Sequence, residues 1–137
     1  MTPERSVGPG PDGPNILIVD DSAMMRAMIK RVASVTGLPI GVIYEAANGR
    51  EALAILEQHR VQFVFTDLNM PVMTGTELLR AMKARDEWRD IVRVIISTDG
   101  SDSRRLEAED LAVTVYVEKP FRPEVMRDVL ASIAPAS

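Results

Sequence analysis

The chain has 137 residues, a formal charge of −4 and no cysteine. That length suits one domain with a single core, and the missing thiols exclude disulfides and thiolate metal sites, in keeping with a reducing cytoplasm. The acidic balance argues against a general nucleic-acid binder, which draws its affinity from clustered Lys and Arg on phosphates, and no apolar run is long enough to span a bilayer.

Residues 1–14 are rich in proline and glycine and are expected to form a disordered arm, with no apolar stretch of the secretory kind. Gly8, Gly10 and Gly13 fit G-x-G-x-x-G, but they precede the first strand instead of following one, so they do not make a dinucleotide loop. The β-branched run Ile16, Leu17, Ile18, Val19 predicts a strand at 15–19 buried on both faces, and it ends in two adjacent carboxylates, Asp20 and Asp21. Ser22 is a helix cap, after which Met25, Ile29 and Val32 fall at i, i+4 and i+7. Met24, Met25 and Met28 read as adaptable packing on this first helix, with a partner contact at Met24 as the alternative.

A second strand is expected at 41–46, followed by a helix at 49–59 with Leu53 and Leu56 inward; His59, the sole histidine, is expected to face solvent at its end. The third strand, 62–66, leads to Asp67, and Leu78, Leu79 and Met82 mark a third helix at 75–85. The fourth strand, 91–97, ends at Ser97. Between it and a fifth strand at 113–117, only Leu106 is a large apolar residue before Leu111, so the fourth helix is expected to be short or mobile. Val125, Val129 and Ile133 mark a last helix that opens with proline in its first turn.

Strands alternating with helices imply an α/β fold with a parallel sheet covered on both faces. Functional residues in such sheets gather at the carboxyl ends of the strands. Asp20 and Asp21, Asp67, Ser97 and Lys119 all lie at or just past such ends, so four separate regions aim polar groups at one rim. Three carboxylates in one pocket repel strongly unless a cation sits among them. Mg²⁺ meets that demand, because it takes oxygen ligands at ~2.0–2.1 Å and keeps several waters. A calcium loop is excluded, since Pro71 stands at the third ligand position after Asp67 and Asn69.

Taken together, "VDDSAMMR", "TDLNMPVMTG", "IIST" and "YVEKPF" resemble the receiver domain of two-component response regulators, in the single-domain form typical of chemotaxis regulators. The resemblance runs from about Asn15 to Ile133. It implies a flavodoxin-like, doubly wound five-stranded sheet in the order 2-1-3-4-5 with five helices, a receiver at 15–134 and a tail at 135–137. It further implies that Asp67 accepts a phosphoryl group from a histidine kinase or phosphotransfer protein. By the same resemblance Asp20, Asp21, Asp67 and the Asn69 carbonyl hold Mg²⁺, and Lys119 and Ser97 contact the phosphoryl group. Ser97 and Tyr116 act as the switch, while Asn69, Thr98 and Asp99 govern access and phosphate lifetime. The chemistry is consistent, because a carboxylate can serve as nucleophile while a cation and a lysine neutralise the transferring group.

Two departures stand out from the usual pattern. Thr98 replaces the customary small residue, and "EDLAVTVY" lacks the frequent glycine before strand five. The expected protein is a cytoplasmic monomer that catalyses only its own phosphorylation and dephosphorylation. It would signal through the face formed by the fourth helix, strand five and the fifth helix, with no nucleic-acid or membrane partner. A receiver belonging to a larger regulator, such as a chemotaxis methylesterase, would read the same. A phosphohydrolase of the haloacid dehalogenase type also shares the nucleophilic Asp, but it needs a second acid where Asn69 stands.

Overall fold

The computed structural model describes residues 13–98, 101, 107–113, 115–119 and 122–133, with the backbone alone at 132 and 133. The expected arm through residue 12, Asp99, Leu106, Pro120, Phe121 and the tail at 135–137 lie outside the described residues. Five strands, β1 (Ile16–Val19), β2 (Ile43–Ala46), β3 (Phe63–Thr66), β4 (Val92–Ser97) and β5 (Val115–Glu118), form one sheet. Their order is β2-β1-β3-β4-β5 and every pairing is parallel.

Each strand is short, and its side chains divide by parity between two cores. Leu17, Val19, Val64 and Ile95 pack with α2 (Gly49–Gln58) and α3 (Gly75–Lys83). Ile16, Ile18, Phe65 and Ile96 pack with α1 (Ala23–Val35) and α5 (Pro123–Ile133). Strands buried on both faces explain the unbroken apolar runs, each such side chain contributing about 1.5–3 kcal/mol relative to exposure. A one-residue slip would exchange the two cores, so burial itself holds the register.

The helix starts are written in their caps. Ser22 accepts the Met25 amide ahead of α1, Asn48 accepts that of Glu51 ahead of α2, and Thr74 forms a reciprocal capping box with Glu77 ahead of α3. On α1, Met25, Ile29 and Val32 face the core as their spacing predicts, whereas Met24 and Met28 are exposed and do not pack. On α5, Met126 and Leu130 are buried more deeply than Val125 or Val129. Residues 107–110 are helical and are labelled α4; Ala108 and Leu111 are its buried anchors among the described residues.

Three further placements depart from the sequence reading. His59 is half-buried at the end of α2, its ring stacked on Tyr44 with centroids 4.5 Å apart instead of standing free in solvent. Arg93, a charged residue inside β4, is buried, donates from Nη2 to the Trp88 carbonyl at 2.7 Å, and has its pKa lowered by that burial. Ordered chain also begins before residue 15, because the Pro14 carbonyl accepts the Gly41 amide at 2.8 Å.

Candidate functional site

The carboxyl ends of β1 and β3 lie side by side, and both acidic side chains there are held by local amides. The Asp20 amide donates to Ala46 at 3.0 Å and the Asp67 amide to Val19 at 3.0 Å, which are the last rungs of the ladder. Beyond them the chain turns, and each carboxylate then accepts a main-chain N–H close ahead. Oδ1 of Asp20 takes the Ser22 amide at 2.9 Å, and Oδ1 of Asp67 takes the Leu68 amide at 2.7 Å. These short turns orient one oxygen of each carboxylate and leave the other aimed into the space between the strands.

Lys119 fills that space. Its main-chain amide donates to the Ser97 carbonyl at 2.8 Å, which extends the β4–β5 pairing by one residue and carries its side chain across the rim. Nζ then donates to Oδ2 of Asp20 at 3.0 Å and to Oδ2 of Asp67 at 3.1 Å. Burial opposes the ammonium charge, but the two hydrogen bonds and the charges of Asp20 and Asp67 outweigh it and raise the Lys119 pKa above its ordinary value.

Asp20 is buried, Asp67 is half-buried and Asp21 is exposed, yet a ligand oxygen from each lies within 4.8 Å of the others. One lysine therefore faces three carboxylates, and the cluster remains short of positive charge. An all-oxygen donor set of this kind suits a hard divalent cation, and the exposed side of Asp21 leaves room for the waters that Mg²⁺ retains.

The other expected residues surround this cluster at different depths. Ser97 is fully buried at the end of β4, Thr98 is exposed just after it, and Asn69 is exposed two residues past Asp67. Tyr116, on β5, is partly buried against the core on the α2–α3 side. Asp99 lies outside the described residues.

Two further contributors stand at the ends of "TDLNMPVMTG" and "VDDSAMMR", where local pattern assigns neither a role. Gly75 opens α3 with its amide on the Leu68 carbonyl at 2.9 Å, and a Cβ there would collide with the Asp67 carbonyl oxygen. Only glycine lets α3 approach the acidic turn so closely. Arg26, one turn into α1, donates from Nη1 to the Asp20 carbonyl at 2.6 Å. An arginine that closes "VDDSAMMR" among apolar neighbours is marked by the sequence, though its partner is not.

The family model for the response regulator receiver domain matches residues 16–131. A chemotaxis protein CheY homolog of Campylobacter jejuni is 34% identical over 119 residues, covering 86% of this chain and 90% of that protein. Chemotaxis protein CheY of Pseudomonas aeruginosa is 35% identical over 118 residues, with 86% and 94% covered. Among solved structures, chemotaxis response regulator CheY4 of Vibrio cholerae is similar with a TM-score of 0.77 at 30% identity, over 88% of this chain and 98% of that one.

Proposed function

Because the chain belongs to the response regulator receiver domain family, we propose that it is a phosphorylation switch whose acceptor is Asp67. The observation that carries this reading is the bridge of Lys119 between Asp20 and Asp67 beside Asp21, a carboxylate nucleophile set in a pocket built for added positive charge. An oxygen of Asp67 attacks the phosphorus of a phosphohistidine on a kinase or phosphotransfer protein. The P–O bond forms as the P–N bond breaks, and the imidazole nitrogen leaves with the electron pair. Asp20, Asp21, Asp67 and the Asn69 carbonyl would hold Mg²⁺, whose charge would offset the negative charge of the transferring group.

Lys119 is placed to exchange its bond with Asp67 for one with the phosphoryl group, while its bond to Asp20 keeps it in position. Ser97 supplies a hydroxyl at the neighbouring strand end and Tyr116 follows its movement. The face of α4, β5 and α5 would thereby change its affinity for a downstream protein. Asn69 and Thr98 stand exposed beside the cluster and, with Asp99, set the lifetime of the phosphate. Residues 15–134 form the working unit, acting as a monomer in the cytoplasm. The names of the similar proteins favour a chemotaxis pathway.

Incubation with acetyl phosphate and Mg²⁺ followed by intact-mass spectrometry tests this reading. One phosphoryl group is expected, and chelator or Asp67→Asn should abolish it. Full labelling of Asp67→Asn would move the acceptor elsewhere.

A further inference from the structure

The structure assigns Arg26 as a positioning residue for the cation-binding carboxylates, acting through the peptide that joins Asp20 to Asp21. This rests on the reading of Asp20, Asp21 and Asp67 as a Mg²⁺ site. Asp21 is the exposed member of that set, so the backbone that carries it decides where its side chain starts. That backbone is held on both sides of the Asp20–Asp21 peptide. Ahead of it, the Asp20 amide closes the ladder on Ala46 at 3.0 Å, and after it, the Ser22 amide donates to Oδ1 of Asp20 at 2.9 Å.

The carbonyl between these two ties is the group that Arg26 takes, at 2.6 Å from Nη1. The peptide is planar, so fixing its oxygen also fixes the direction in which the chain enters Asp21. Arg26 is itself braced. Its Nε donates to Oε1 of Glu45 on β2 at 3.1 Å, and Lys30 approaches the other oxygen of that carboxylate at 3.8 Å. The Arg26 side chain is only 17% exposed, so this arrangement is more than a surface ion pair.

Two partners at fixed angles are what a guanidinium fork can serve, and a lysine has no such fork. Arg26 thus carries the geometry of β2 to the metal-facing turn after β1. Glu45 fixes the Nε side of the guanidinium and leaves Nη1 directed at the Asp20 carbonyl.

Mg²⁺ titrations by calorimetry on the intact chain, compared with Arg26→Ala, Arg26→Lys, Asp21→Asn and the Arg26→Ala/Asp21→Asn pair, test the assignment. Loss of an outer partner that orients a ligand should weaken Mg²⁺ binding by about 10-fold. Arg26→Lys should recover little of it. In the Asp21→Asn background the further loss from Arg26→Ala should shrink well below its value in the parent, because the residue through which Arg26 acts is already impaired. Equal affinity of parent and Arg26→Ala would overturn the assignment, as would full recovery by lysine or a loss of equal size in both backgrounds. If Arg26→Ala does not fold, Glu45→Gln decides alone: weaker binding supports the role and unchanged binding refutes it. Failure of the parent to bind Mg²⁺ would remove the metal-site reading, and this inference with it.

Discussion

The two ends of the sheet solve the same problem, how to finish five parallel strands, with opposite kinds of groups. At the amino end the groups are amides. Asn15 donates from Nδ2 to the Arg60 carbonyl at 2.9 Å and accepts the Val42 amide on Oδ1 at 2.9 Å, while its own amide donates to Gln62 Oε1 at 2.7 Å. One residue thus ties the starts of β1, β2 and β3 together, and each neutral donor meets a neutral acceptor. At the carboxyl end the groups are charged, and a single ammonium serves two carboxylates while a third stands exposed beside them. The Asn15 cluster is neutral and paired through both of its side-chain heteroatoms. The carboxyl end keeps an electrostatic deficit that a cation would correct, and that deficit is its capacity to bind.

The largest effect should come from taking away the one cation the carboxyl end already has. Lys119→Met leaves Asp20, which is buried, and Asp67 without their shared partner. Breaking a fully buried pair costs about 3–5 kcal/mol. Lys119 and Asp67 keep 12% and 14% of their side-chain surface exposed, so a loss of about 2 kcal/mol is expected after solvent screening. Urea unfolding at neutral pH with chelator should show it, and Mg²⁺ should restore more stability to the variant than it adds to the parent. The pH dependence has a definite sign. The folded pKa of Lys119 is raised above 10.5, so its contribution is complete below that value and is lost as pH climbs through the folded pKa. The gap between parent and variant should therefore narrow above pH 10.5. A constant gap up to pH 11.5 would mean that the Lys119 charge is not what stabilises this end.

A smaller effect, of the opposite character, is expected from Asn15→Ala. Two side-chain hydrogen bonds disappear at the amino end, each worth about 0.5–1.5 kcal/mol net. Both bonds are exposed, so stability should fall by the lower part of that sum, about 1–2 kcal/mol, while Mg²⁺ affinity and acetyl phosphate labelling stay at parental values. A matching fall in labelling would show that the two ends are coupled through β1.

How far each end can be read in the sequence follows from the range of its interactions. Runs such as Ile16 to Val19 declare a buried strand, and Asp20, Asp21 and Asp67 stand out because a carboxylate after such a run has no packing purpose. Ser22 as a cap and the inward Leu78, Leu79 and Met82 were likewise local signals, since period and capping act within one turn. The approach of Lys119 to Asp20 spans 99 residues of sequence separation; the strand-end rule places both on one rim, while the contact itself is not a local signal. The partners of Arg26 and Arg93 are invisible in the sequence for a related reason. A charged residue on a helix or in a strand normally faces water, and only the fold reveals that the Asp20 and Trp88 carbonyls await these guanidinium groups. His59 is more covered than helix ends usually are, because Tyr44 on the neighbouring strand stacks on it.

The smallest expected effect concerns a residue at the amino end that fits its conformation poorly. Ala112 follows α4 with φ 60°, the left-handed region. Its amide donates to the Glu109 carbonyl at 3.2 Å, and the Val113 amide donates to the Ala108 carbonyl at 3.2 Å, so the turn ends α4 in the manner that usually employs glycine. A Cβ in this region costs about 1–2 kcal/mol, and glycine gives back part of that through the greater freedom of its unfolded chain. Ala112→Gly should then stabilise the protein by about 0.5–1 kcal/mol. The Lys83 ammonium, which donates to the Asp110 carbonyl at 2.5 Å, should keep its place because the backbone need not move. The consequence for the comparison lies in where the gain is felt. Relief at the start of β5 should slow hydrogen exchange at 107–113 while leaving Mg²⁺ affinity at the opposite rim unchanged. A loss of stability on Ala112→Gly would show that alanine's lower unfolded-state entropy outweighs its strain at this turn.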